Sequence, residues 1–193
     1  MGGRARIVVS DNISLDGVIE DPAGDEGFAR GGWVGLISNR PDLGQVTLDD
    51  ARNTGAMLMG RRTYEWFAAR WPSRTGELAD RLNRAPKYVV SSTLETADWN
   101  NTTVLSGDVA EAVAQLKRDV DGVILVAGSA QLVQALLAAD LVDELRLMVF
   151  PIVLGSGKRL FGPTGGQKKR LALADAKPLE DGVTIMTYRP AAA

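Results

Sequence analysis

AMLMGRRTYEWF, residues Ala56 to Phe67, is the most informative stretch of this chain. Four apolar residues, Ala56, Met57, Leu58 and Met59, run into Gly60, and Arg61, Arg62, Thr63 and Glu65 then open a segment carrying Tyr64, Trp66 and Phe67. A short apolar run ending in glycine and a polar helix start predicts a buried strand that delivers its C-terminal end to a helix N-terminus. Unpaired backbone N–H groups and the positive end of the helix dipole meet at such a junction. Phosphate binds readily there, and two adjacent arginines with a hydroxyl supply charge-assisted donors. The alternative is an ordinary strand–helix junction with two solvated arginines, since helix starts with basic residues are common.

Upstream, Pro41 to Asn53 has a helical pattern with Leu43, Val46 and Leu48 apolar. Arg4 to Ser10 (RARIVVS) predicts a first strand, closed by Asp11 and Asn12 as turn formers. Asp16 and Gly17 follow in ISLDGVIE, where Asp-Gly is a turn signal. The segment Asp21 to Gly35 (DPAGDEGFARGGWVG) is glycine-rich around Phe28 and Trp33. It reads either as a mobile flap, with Trp33 lining a pocket, or as an irregular surface loop with Trp33 in the core.

Downstream, Gly76 to Arg84 is a helical piece, and Lys87 to Ser91 (KYVVS) is a strand ending in the hydroxyls Ser91 and Ser92. Thr103 to Leu105 is a short strand before a helix capped by Asp108 with Glu111 three residues on. Val123 to Ala127 (VILVA) is wholly apolar, the signature of a strand buried on both faces in the middle of a parallel sheet. It ends in Gly128-Ser129-Ala130-Gln131, with Leu132, Val133, Leu136 and Leu137 marking the next helix: a second strand–glycine–helix junction. Asp143 to Phe150 alternates, Gly155-Ser156-Gly157 forces a turn, and Asp181-Gly182 between Arg170–Lys177 and Gly182–Arg189 signals a hairpin. Strands alternating with helices and then antiparallel strands predict a three-layer α/β/α domain over residues 1–193. Its sheet is expected to be mixed, mostly parallel, with antiparallel C-terminal strands. Ligands bind at the carboxyl ends of strands in such sheets, where both glycine junctions, Ser91-Ser92 and Asp16-Gly17 fall.

Composition narrows the chemistry. The 193 residues include no cysteine and no histidine, which removes disulfides, thiolate and imidazole metal ligands, and every His-based nucleophile arrangement. Acid–base work is left to Asp, Glu, Lys, Tyr or water. A net charge of −2 with interspersed signs gives no support for a nucleic-acid partner. No apolar run approaches bilayer length, and MGGRARIVVS enters a strand pattern directly, so the expected location is cytoplasmic with no membrane partner.

MGRRTYE (Met59 to Glu65) resembles the cofactor-phosphate motif of dihydrofolate reductases, and VAGSAQLVQALL (Val126 to Leu137) resembles their second glycine motif. With ISLDG, FARGGW and LVDELRLMVFPIVLGSGKRLF (Leu141 to Phe161), the chain is more similar still to the riboflavin-pathway reductase C-terminal domain family, which shares the dihydrofolate reductase fold. The resemblance spans nearly the whole chain and implies an NADPH-dependent reductase acting on a small-molecule substrate, a heterocycle or a carbonyl compound. Carried over by position, it implies that Gly60, Arg61, Arg62 and Thr63 hold cofactor phosphates, with Arg61, Ser91 and Ser92 near the adenosine 2′-phosphate. Val126 and Gly128, Ser129, Ala130 and Gln131 then belong to the pyrophosphate cradle, and Asp16 and Gly17 stand by the nicotinamide and substrate. An arginine fork with hydroxyls suits a phosphomonoester better than a ribose diol, which agrees with NADP over NAD. Asp16 is the candidate proton source, against a plain turn role, and Trp33 the candidate pocket wall; no metal is expected. Related domains pair, and the C-terminal hairpin offers a sheet edge, so a homodimer is expected.

Three departures bear on function. Ser129 stands where dihydrofolate reductases have a second glycine, which predicts a looser turn. Pro41-Asp42-Leu43-Gly44-Gln45 puts no acid in register with their pterin-protonating residue, and a chain without Cys or His holds no zinc deaminase. A pyrimidine reductase, a weak dihydrofolate reductase and a nucleotide-binding sensor without turnover are the competing readings.

Overall fold

The computed structural model describes residues 5–37, 41–162 and 168–191. Arg4, expected to open the first strand, lies outside them. One eight-stranded sheet organises the molecule. Its strands are β1 (Arg6–Ser14), β2 (Thr54–Gly60), β3 (Lys87–Val90), β4 (Thr102–Leu105), β5 (Val123–Val126), β6 (Glu144–Phe150), β7 (Leu171–Pro178) and β8 (Thr184–Pro190). The order across the sheet is β4-β3-β2-β5-β1-β6-β8-β7. Pairing is parallel from β4 to β6, and antiparallel between β6 and β8 and between β8 and β7. The apolar β5 lies between β2 and β1, as a strand with no polar alternation demands.

Helices cover both faces. α4 (Val109–Asp119) and α5 (Ala130–Ala138) seal one face through Val113, Leu116, Leu132, Val133 and Leu136, packed on Ile7, Val9, Leu58 and Val126. On the other face, α1 (Pro41–Asn53), α2 (Arg61–Ala68) and α3 (Glu77–Arg84) contribute Ala51, Tyr64 and Leu82 to a cluster with Met57, Met59, Val89 and Trp99. Among the described residues, no helix is long and apolar enough to cross a membrane.

Two elements depart from the local signals. β1 continues through Asp11 and Asn12 to Ser14, because β6 pairs with it in parallel from Val8↔Glu144 to Ser14↔Phe150. That ladder satisfies the backbone and overrides the turn preference of the two residues. It also makes β6 the last parallel strand rather than the first antiparallel one. The loop from Asp21 to Gly35 is internally stitched rather than loose. Asp21 is buried, and its Oδ1 accepts the N–H groups of Gly24, Asp25 and Glu26 at 2.8, 2.9 and 3.1 Å, while Oδ2 accepts that of Phe28 at 3.1 Å. Gly24 has φ +83, and a Cβ there would stand 2.8 Å from Gly32 Cα, so the loop closes on itself only with glycine. At the far edge, Asp181 (φ 59) and Gly182 (φ 83) take the left-handed conformations of the β7–β8 turn.

Candidate cofactor site

Because β2 and β5 are parallel neighbours with Leu58 opposite Val126, their C-terminal ends lie together. The starts of α2 and α5 therefore stand side by side. Gly60 and Ser129 occupy the N-cap positions, and neither helix start receives a side-chain cap. Ser129 adopts φ 64, and its Oγ donates to Thr63 Oγ1 at 2.8 Å while accepting the Gly60 N–H at 2.9 Å. The serine expected to loosen the second turn thus ties the two junctions together. Gly128, at φ +57, faces the same threonine: a Cβ there would stand 3.0 Å from Thr63 Oγ1. Its bare backbone is what lets the junctions approach.

Around this knot, Arg61 and Arg62 are exposed, and Arg61 lies 3.8 Å from Glu65. Ala130 and Gln131 form the first turn of α5, and Val126 is wholly buried, its side chain part of the core. Gly60 pairs with Val90 at the end of β3, which brings Ser91 and Ser92 beside the α2 start. The Ser91 hydroxyl accepts the N–H groups of Thr93 and Leu94 at 3.1 and 3.0 Å, so it builds the turn, whereas Ser92 is exposed. The loop of residues 21–35 reaches α2 as well: Asp25 accepts from the Trp66 indole at 2.8 Å and pairs with Arg70.

Asp16 does not have the environment of a proton source. Its Oδ1 accepts the Leu154 N–H at 3.0 Å and the Ser14 hydroxyl at 2.7 Å, its Oδ2 accepts the Gly155 N–H at 2.8 Å, and Arg159 lies 3.7 Å away. The Leu154 N–H first, then Ser14, hold the carboxyl down at about 2. An acid that stays ionised at neutral pH cannot lend a proton, so Asp16 is a bracket that fixes the 154–155 turn to the end of β1. Gly17, at φ +84, completes that corner; its carbonyl accepts from Leu160 at 3.1 Å.

Trp33 is likewise corrected from pocket wall to core. It is 1% exposed, meets Phe150 edge-on with centroids 5.3 Å apart, and donates its indole N–H to Glu20 O at 2.9 Å. Packing against Val18, Phe150 and Leu154 consumes the whole ring.

Two acids beneath the strand ends were missed. Asp50 on α1 turns toward the sheet, accepts the Ser10 hydroxyl at 2.9 Å and forms an ion pair with Arg146. Burial raises its pKa, with Arg146 acting against that rise. Asp11 on β1 is buried, with Oδ1 accepting the Gly128 N–H at 2.6 Å. Its signal was present in the phase of the strand: Ile7, Val9, Asp11 and Ile13 are two apart, which puts an acid on an apolar face. Among the described residues, carboxylate oxygens of Asp21, Asp25 and Glu26 approach within 4.8 Å of one another. Asp21 is saturated by backbone N–H groups and Asp25 by Trp66 and Arg70, so loop architecture accounts for that cluster.

The chain is similar to several known proteins. The uncharacterized protein YyaP of Bacillus subtilis (strain 168) is 28% identical over 188 residues, covering 95% of this chain and 94% of its own length. A Shewanella sp. PV-4 protein assigned to riboflavin biosynthesis superposes with a TM-score of 0.76 at 23% identity, covering 97% of this chain and 99% of that one. Dihydrofolate reductase from Enterococcus faecalis, solved with NADP(H), superposes with a TM-score of 0.64 at 13% identity over 100% of both chains. At those identities the two structures speak for the fold alone, which is that of dihydrofolate reductase. The match of residues 5–185 to the RibD C-terminal domain goes further, and by it the chain belongs to the RibD C-terminal domain family of reductase-like proteins.

Proposed function

We propose that the protein is an NADPH-dependent reductase of the cytoplasm that transfers hydride to a small heterocyclic or carbonyl substrate. The observation that carries this reading is the Ser129 bridge, which ties two uncapped helix starts together beside two exposed arginines. The residues fit a dinucleotide. Gly128 to Gln131 present backbone at α5 for a pyrophosphate, and Gly60 to Thr63 do the same at α2, where the dipole favours anions. Arg61, Arg62 and Ser92 offer charge and a hydroxyl to a 2′-phosphate. When bound, the cofactor supplies the hydride that no side chain can. The buried Trp33 and the Asp16 bracket hold the adjoining loops in place rather than taking part in proton transfer.

We also propose a homodimer. β7 is an edge strand exposed along nearly its whole length, with Leu173 54% exposed, and such edges are ordinarily covered.

The test of function is NADPH oxidation across a panel of pterins, pyrimidines and carbonyl compounds. Substrate-dependent oxidation that is lost in Gly128→Val supports the reading, because valine fits neither φ +57 nor the space before Thr63. NADPH binding with no turnover across the panel favours a sensor instead.

A further inference from the structure

The phosphate contacts just described make no use of Asp11, although it touches the cradle directly. Its Oδ1 holds the Gly128 N–H at 2.6 Å, and its buried Oδ2 has no hydrogen-bond partner among the described residues. The carboxyl lies on the α4–α5 face of β1, in phase with Ile7, Val9 and Ile13. The elements packed around it offer no cation. β5 (VILV) and α5 (AQLVQALLA) hold no ionisable side chain. On β6, Glu144 and Arg146 alternate with the core residues Leu145 and Leu147, and they pair with Arg6, Arg189 and Asp50. On α4, Lys117 is committed to Asp143 and the Leu141 carbonyl, and Glu111, Arg118 and Asp119 lie at the surface or its margin. On α2, Arg61 is near Glu65 and Arg62 is exposed. Burial accordingly pushes the Asp11 carboxyl up to about 7, against the lowering effect of the Gly128 N–H.

We propose that Asp11 is a proton-binding site coupled to the cofactor cradle, taking a proton from solvent onto its free oxygen when a pyrophosphate settles on the Gly128–Gln131 turn. The inference rests on the cofactor reading above. Ionised Asp11 and a pyrophosphate are two anions at one helix start, competing for the Gly128 N–H and sharing the same dipole. Inside the protein their repulsion is poorly screened by salt. Each therefore lowers the affinity for the other, and linkage makes the effect reciprocal: cofactor raises the proton affinity of Asp11, and protons raise the affinity for cofactor. Asp11 acts through Gly128, so it is a positioning residue whose charge state sets the strength of the cradle.

The experiment is a carboxyl-carbon NMR titration of Asp11 in the unmodified protein, with and without saturating NADPH. The expected midpoint lies near pH 7 without cofactor. It should rise by about one pH unit with cofactor, equivalent to about a tenfold coupling. Calorimetry in two buffers of different ionisation enthalpy should then show proton uptake on NADPH binding. In Asp11→Asn that uptake falls to the part owed to the cofactor's own 2′-phosphate. The Kd of the unmodified protein should weaken about fivefold more than that of the variant between pH 6 and pH 8, the part of a tenfold coupling that falls between those two values. A midpoint unmoved by bound NADPH overturns the coupling and leaves the cofactor reading standing. Failure of NADPH to bind at any pH overturns both. The NMR measurement needs no variant, so the proposal stays testable if Asp11→Asn does not fold.

Discussion

The hydroxyl of Ser129 lies 2.8 Å from that of Thr63, across the gap between the two strand–helix junctions of the proposed cradle. A neutral hydrogen bond of this kind contributes about 1 kcal/mol net, and its geometric effect is larger than that figure suggests. It fixes where two sets of backbone donors point relative to one another.

Ser129→Ala should cost about 1 kcal/mol in a denaturant titration, for the lost bridge, since serine and alanine bear the same strain in the left-handed conformation. Ser129→Gly should come out near neutral, because glycine adopts φ 64 without strain and that relief offsets the lost bridge. In a double-mutant cycle, Thr63→Val on the Ser129→Ala background should add almost nothing, since both remove one interaction. Full additivity would show that the two hydroxyls do not work together.

Asp16→Asn should lower stability by about 2 kcal/mol at neutral pH, as expected for weakening a charged hydrogen-bonded bracket. Turnover per folded molecule should stay near that of the unmodified protein. The pH dependence has a definite sign. The folded-state pKa is lowered to about 2, so the stabilisation is present above the ordinary aspartate range and is lost as pH falls toward 2. Melting temperatures of the two proteins should converge in acid. A variant of normal stability with turnover reduced about a hundredfold would restore Asp16 as a proton source.

These assignments separate what was legible from what was not. The two glycine junctions could be read because each is a local pattern, an apolar run followed by glycine and a helix start, with every informative residue within a dozen positions. The central place of VILV followed from its lack of polar alternation. Asp16 could not be resolved locally, because the N–H groups that occupy its carboxylate belong to Leu154 and Gly155, 138 and 139 positions away. Asp11 could be read only from its phase with Ile7, Val9 and Ile13. As a turn former it ended the predicted strand, and only the distant β6 shows that the strand continues through it. Trp33 was ambiguous between lid and core because a glycine-rich segment looks loose until the Asp21 carboxylate is seen to gather four of its N–H groups.

Light scattering at micromolar concentration should give twice the 20.6 kDa chain mass. Leu173→Lys should shift the protein toward monomer, since a charge on an edge strand discourages edge-to-edge pairing. A mass of one chain for the unmodified protein would remove the dimer.

The cradle itself is tested most directly by equilibrium titration of NADPH and NADH into the unmodified protein and Arg61→Ala. A charge-assisted contact to the 2′-phosphate contributes about 1.5–3 kcal/mol, so NADPH should bind roughly ten- to a hundredfold more tightly than NADH. Arg61→Ala should erase most of that difference while leaving NADH affinity nearly unchanged. Equal affinities for the two cofactors in the unmodified protein would contradict the assignment of the Gly60–Thr63 junction as a 2′-phosphate site.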